Sequence, residues 1–96
     1  MSAYIIADIT ILDTDGLEQY GNLSYPTLVA AGGKILASTN QAEILEGNWQ
    51  PGLVVIIEFA TAEKARQWLN SPEYQPARQV RFRSAKTNII LLDADG

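Results

Sequence analysis

Over residues 3–12 apolar and polar positions alternate. Ile5, Ala7, Ile9 and Ile11 fall on one side, with Tyr4, Ile6, Asp8 and Thr10 on the other. A period of two rich in β-branched residues predicts a first strand. The spacing then lengthens to three and four, carried by Leu17, Tyr20, Leu23, Leu28 and Ala31, which predicts a helix. Asp13-Thr14-Asp15 supplies cap chemistry and negative charge for its start, and Asp15 with Glu18 has capping-box spacing. Pro26 lacks an amide donor and crowds the preceding turn, so a kink near 24–26 is expected, or a split with Ser24 capping the second piece. Gly32-Gly33 ends the helix, the first glycine as a left-handed cap.

A second strand is expected over 33–38, a turn at Thr39-Asn40-Gln41, a short edge extension over 42–46, and a loop over 47–52 marked by Gly47, Pro51 and Gly52. Leu53–Phe59 is the most apolar segment and reads as a central strand. Thr61 caps a helix to Asn70, with Glu63 in its first turn and Ala65, Trp68 and Leu69 as its apolar stripe. Ser71-Pro72-Glu73 has the pattern of a further helix start, predicting a helix to Ser84 in spite of Pro76. Residues 87–93 form the last strand. The order β-α-β-β-α-β predicts one ferredoxin-like α+β domain over residues 1–96, a four-stranded antiparallel sheet with helices on one face.

One layer of helices covers one face of such a sheet. Yet the third strand is apolar on both sides, Leu53, Val55, Ile57 and Phe59 against Val54 and Ile56, and so is the last, Ile90 and Leu92 against Ile89 and Leu91. Each large aliphatic side chain left in water forgoes about 1.5–3 kcal/mol. An apolar patch of this kind marks an interface, and a second copy supplies a matching sheet, so a homodimer with facing sheets is expected.

Composition narrows the chemistry. At 96 residues the chain buries about 64% of its extended surface, enough for a modest core. With no cysteine and no histidine, disulfides, thiolate nucleophiles, imidazole metal ligation and Ser-His-Asp catalysis are excluded. No cofactor or metal site is expected. A net charge of -4 and a pI near 4.5 argue against nucleic acid and anionic membranes as partners. No stretch approaches the roughly 20 apolar residues of a membrane span. The first residues lack a basic segment ahead of their apolar run, so a cytoplasmic protein is expected. Arg78, Arg81, Arg83 and Lys86 crowd the end of the last helix, either as a solvated helix terminus or as an anion-facing site.

The polar residues left for chemistry are few. Asp8 and Glu58 lie on neighbouring strands; if they share a face and approach, one carboxyl rises in pKa and serves as a general base. Glu46, Trp49, Trp68, Tyr74 and Arg81 form the candidate pocket, with Arg81 holding either a ligand carboxylate or Glu46 and the aromatics as walls. Catalytic candidates are therefore Asp8, Glu58 and Arg81. Two functions stay open: binding or turnover of a small organic molecule, or a non-catalytic dimeric module. A water-filled cavity of about 300 Å³ or more with Arg81, Trp49 and an acid converging on it distinguishes the first; a filled core with Arg81 locked on Glu46 distinguishes the second.

A set of ordered islands also carries a likeness. Gly32-Gly33, Glu46-Gly47-x-Trp49-x-Pro51, Val55-Ile56-Ile57-Glu58-Phe59, Ala65-x-x-Trp68, Ser71-Pro72-Glu73-Tyr74-Gln75, and Arg81 followed by Ala85 span nearly the whole chain. Together they resemble the domain of unknown function 1330 family of the dimeric α/β-barrel superfamily. The resemblance implies a ferredoxin-like subunit and a dimer, and no assigned activity. The superfamily likeness further implies cofactor-independent proton transfer or oxygenation as the class of any chemistry. Two positions depart from the family pattern: Ala37-Ser38-Thr39-Asn40 stands where Ala-Arg-Gly-Gly is frequent, and Leu69 where an aromatic is frequent.

Overall fold

In the computed structural model, which describes residues 2–95, the alternating segment forms β1, Ala3–Ile11. It is flanked by β3, Leu53–Phe59, and β4, Ala85–Asp93, with β2, Lys34–Thr39, outside β3. The order β2-β3-β1-β4, antiparallel throughout, is the ferredoxin-like arrangement.

Register decides which side chains share a face. Ile5 stands opposite Ile57 and Leu91, and Ala7 opposite Val55 and Ile89. This is the covered face, where Ala3, Ile5, Ala7 and Ile9 are buried. The intervening residues Tyr4, Ile6 and Asp8 stand opposite Glu58, Ile56 and Val54 of β3 and Leu92, Ile90 and Asn88 of β4. Nothing of the described chain covers the centre of this second face: Ile90 is 54% exposed and Leu92 45%. A bulge at Leu36 shifts β2 along β3, so that Ile35 pairs with Ile57 but Ala37 with Ile56.

Three helices lie on the covered face: α1, Thr14–Ala30, α2, Ala62–Asn70, and α3, Gln75–Ser84. Leu28, Ala65, Trp68, Tyr74 and Ala77 meet Ile5, Ile57 and Phe59 in one buried cluster. Trp68 is its centre, 4.2 Å from the Tyr74 ring and 5.8 Å from that of Phe59 between centroids, and its indole N–H donates to the Thr27 hydroxyl at 3.0 Å. One sheet and one helical layer make a slab whose Cα extents are 32 × 31 × 16 Å.

Several boundaries differ from the pattern in the sequence. Asp13 is the N-cap of α1, accepting from the Gly16 amide at 3.2 Å, so the Asp15–Glu18 spacing falls inside the helix. α1 runs unbroken through Pro26. The bond lost there is the one to the carbonyl of Asn22, an exposed residue, while the Thr27 hydroxyl takes the Ser24 carbonyl at 2.7 Å and Leu28 anchors the last turn in the core. The helix ends as expected: Gly32 has φ +81°, and the amides of Gly32 and Gly33 bond the Val29 and Leu28 carbonyls at 3.0 and 2.9 Å, a Schellman closure.

The edge extension over 42–46 does not form. β3 begins only at Leu53, so those residues have no strand to pair with, and 40–52 is a loop. α3 starts at Gln75, three residues later than the Ser71-Pro72-Glu73 signal suggests. Ser71 is already engaged in closing α2: its hydroxyl donates to the Trp68 carbonyl at 2.8 Å while accepting from the Tyr74 amide at 3.3 Å. Pro76 then falls in the first turn of α3, where its missing N–H has no helical partner to lose.

Candidate functional site

α1 packs along α3, and their closest approach is where a Cβ on Gly16 would overlap the Ser84 hydroxyl. Farther along, the inner stripe of α1 passes through two small residues, Gly21 and Ser24, between the larger Tyr20 and Leu28. Beneath them β1 contributes Ala7. Small side chains facing one another across the layer leave space, and a cavity of about 280 Å³ opens between α1 and the sheet. Its floor is Ile5, Ala7, Ile9, Val55, Ile57 and Ile89, and its roof Leu17, Tyr20, Gly21, Ser24 and Leu28. Trp68, Tyr74 and Arg81 close one side.

Three polar side chains, Tyr20, Tyr74 and Arg81, meet on that side, while Ser38 on β2 and Thr87 on β4 line the cavity elsewhere. The Tyr20 and Tyr74 hydroxyls are 2.7 Å apart, with their rings edge-on at 6.2 Å. Burial pushes the Tyr20 phenol up, the neighbouring Tyr74 adds to the effect, and the Arg81 charge opposes it only in part. Tyr20 is therefore a proton holder and hydrogen-bond donor at neutral pH, not a base. Arg81 is 4% exposed. Its guanidinium carbon lies 5.9 Å from the Tyr20 ring and 5.2 Å from the Phe82 ring, and its Nε is buried without a hydrogen-bond partner. The Thr87 hydroxyl, also on the lining, is another buried polar atom without a partner.

Of the five pocket candidates the structure brings three together: Trp68, Tyr74 and Arg81. Glu46 and Trp49 are not on the lining; both are exposed in the 40–52 loop. Nor is Arg81 locked on Glu46: among the described residues the ion pair within 4.0 Å is Arg66 with Glu63, on the surface of α2. Trp49 instead donates its indole N–H to Asp8 at 2.9 Å, and the Gly52 amide binds the other Asp8 oxygen at 2.8 Å. Asp8 thus ties the loop to β1.

Asp8 and Glu58 do share a face, the open one, but they do not approach. Asp8 stands opposite Val54 and Glu58 opposite Tyr4, four residues apart along β1, or about 13 Å. The paired-carboxylate base is therefore not assembled, because strand register, which a single sequence does not reveal, places the two acids in different rows. No carboxylate lines the cavity.

The basic cluster also disperses. Arg78 donates to the Leu69 carbonyl at 3.2 Å, satisfying the end of α2. Arg83 is exposed in the last turn of α3 and Lys86 is exposed on β4. Only Arg81 faces the cavity. Tyr20, Ser24 and Thr87 are cavity residues that reading the chain missed as such. The available signal was the Gly21–Ser24 gap in the apolar stripe of α1, which marks where a helix face has no bulk to fill the space beneath it.

The comparisons agree with this fold. The family model described as Domain of unknown function (DUF1330) matches residues 2–95. A comparison with curated proteins finds no match. The structure is similar to the RPA0582 protein of unknown function from Rhodopseudomonas palustris, with a TM-score of 0.82 at 17% identity, covering 96% of this chain and 81% of that one. It is similar to SnoaB, a cofactor-independent oxygenase from Streptomyces nogalater, with a TM-score of 0.72 at 14% identity, covering 97% and 92%. It is also similar to a dimeric ferredoxin-like protein of unknown function from Jannaschia sp. CCS1, with a TM-score of 0.70 at 9% identity, covering 98% and 100%. At these identities the likeness is one of fold. Among the described residues no helix is long and apolar enough to cross a membrane.

Proposed function

Because the chain belongs to the DUF1330 family, whose description names no activity, its role has to be read from its own side chains, and we propose that it binds a small, mostly apolar organic molecule in the cavity beneath α1, as a homodimer joined through the open sheet face. The observation that carries the ligand reading is the cavity itself. About 280 Å³ of space walled mainly by aliphatic and aromatic groups, with a few polar side chains among them, has the make-up of a small-molecule site. A filled core, which a purely structural module calls for, is absent at this place.

The dimer reading rests on the open face. The chain exposes 6280 Å², against about 5,400 Å² for a compact monomer of its mass. The excess, roughly 900 Å², is close to the ~800 Å² that each partner contributes to a standard interface. The Jannaschia neighbour is described as dimeric, which favours a dimer here. Turnover has weaker support than binding. The oxygenase likeness extends to fold alone, and the cavity offers a raised phenol and a cation in place of a carboxylate base.

The test is titration with a neutral fluorescent probe such as N-phenyl-1-naphthylamine, compared between the wild type and Ser24→Leu, which fills the cavity from the roof. Saturable binding that Ser24→Leu removes while helical circular dichroism is kept supports the reading. Absent binding, or binding indifferent to the substitution, refutes it.

A further inference from the structure

The walls of the cavity are neutral with one exception, and that exception constrains what the cavity holds. Arg81 carries a guanidinium, it is 4% exposed, and none of the described acids lies within 4.0 Å of it. A buried charge without a counter-ion is expensive, and ring faces at 5.9 and 5.2 Å replace only part of its lost hydration. Its Nε–H is buried and bonded to nothing. Beside it, the two phenols share one hydrogen bond of 2.7 Å. Two hydroxyls carry two hydrogens, so one is used between them and the other remains to donate. The end of the cavity at Arg81 therefore offers donors and a single positive charge.

We propose that the molecule bound there is an organic monoanion with its charge on oxygen, such as a carboxylate on an apolar body, and that Arg81 is its counter-ion. The proposal rests on the ligand-binding reading above and adds the ligand's charge to it. A guanidinium with a phenol hydroxyl beside it suits an acceptor oxygen, and its positive charge repels an ammonium group. One cation suits one negative charge; Arg78 is committed to the end of α2, and the remaining basic residues do not reach the lining. The aliphatic floor and Trp68 suit an apolar body in place of a polar metabolite.

Calorimetric titration with 2-naphthoate and with its neutral counterpart 2-naphthylmethanol, in chloride-free buffer, separates the two levels of the argument. Wild-type protein is expected to bind the carboxylate at least about tenfold more tightly, the worth of one charge-assisted hydrogen bond. Arg81→Met, which keeps the length of the stem, is expected to erase that ratio while still binding the alcohol. A wild-type ratio below about tenfold overturns the monoanion proposal and leaves the apolar site standing. So does a ratio that survives Arg81→Met. Binding of neither probe overturns the site itself and the proposal with it. The wild-type ratio decides the matter even where the variant does not fold.

Discussion

Replacing Ile90 with lysine separates the proposed assembly from the fold. Ile90 is on the open face opposite Ile6 and 54% exposed in the single chain. Within one subunit the substitution disturbs little beyond β propensity, on the order of 0.5–1 kcal/mol. In a sheet-to-sheet dimer the cost is of another size. The exposed half of the side chain would otherwise gain about half of the 1.5–3 kcal/mol of full burial. Two-fold symmetry repeats the loss, so about 2–3 kcal/mol disappears per dimer from transfer alone. Two ammonium groups brought into an apolar contact then add a few kcal/mol. The total, about 5 kcal/mol, weakens association by roughly 10³–10⁴. Light scattering on a sizing column at micromolar concentration is the assay. Wild-type protein is expected at about 21 kDa, twice the 10.5 kDa chain, and Ile90→Lys at the monomer mass with its circular dichroism retained. A wild-type monomer, or a folded Ile90→Lys that remains dimeric, refutes the sheet-to-sheet reasoning.

Further outcomes concern the fold and the site. Trp68→Ala removes the indole that packs on Tyr74 and Phe59 and donates to Thr27; about 3–5 kcal/mol of stability should be lost, read as a fall in the urea midpoint, and a loss below about 1 kcal/mol would contradict its place in the core. The Tyr20 phenol is raised, chiefly by burial, so its contribution is complete below the ordinary value near 10 and is lost as pH rises toward the folded value. Denaturation between pH 10 and 11.5 should show stability falling by up to about 1.4 kcal/mol per pH unit, and Tyr20→Phe should flatten that slope; an unchanged slope would contradict the assignment. Asp8→Ala frees the Trp49 indole and the Gly52 amide. About 1–2 kcal/mol should be lost, little for the partly exposed bond and more for the amide, with faster proteolytic cutting within 40–52 as the readout and an unchanged cutting rate as the contrary result.

What could be read along the chain was whatever depends on neighbours in sequence. The period of two in β1, the Asp13 and Thr61 caps, the Gly32-Gly33 closure and the apolar run of β3 are local patterns, and each element formed where its pattern lay. Ser71-Pro72-Glu73 misled because one serine faced two duties, and closing α2 prevailed over opening α3. The apolar character of both sheet faces was equally legible, since alternation assigns the sides without knowing the partners. The candidate site was legible only by residue type. Trp68, Tyr74 and Arg81 stood out as large or charged groups in an apolar context, and they line one cavity.

The rest needed tertiary structure. Whether Asp8 and Glu58 meet depends on the register between β1 and β3, set by side-chain packing between strands some fifty residues apart. Whether Arg81 finds Glu46 depends on where a 13-residue loop runs, and Asp8 draws that loop toward β1 through Trp49 and Gly52. Whether α1 rests on the sheet or stands off it depends on Gly21, Ser24 and Ala7 facing one another, although no two of them are adjacent in sequence. Sequence alone determined the elements, their order and the missing imidazole and thiol chemistry, because these follow from local propensity and composition. Only the three-dimensional packing decided that the remaining chemistry is a buried arginine and two tyrosines around an apolar space.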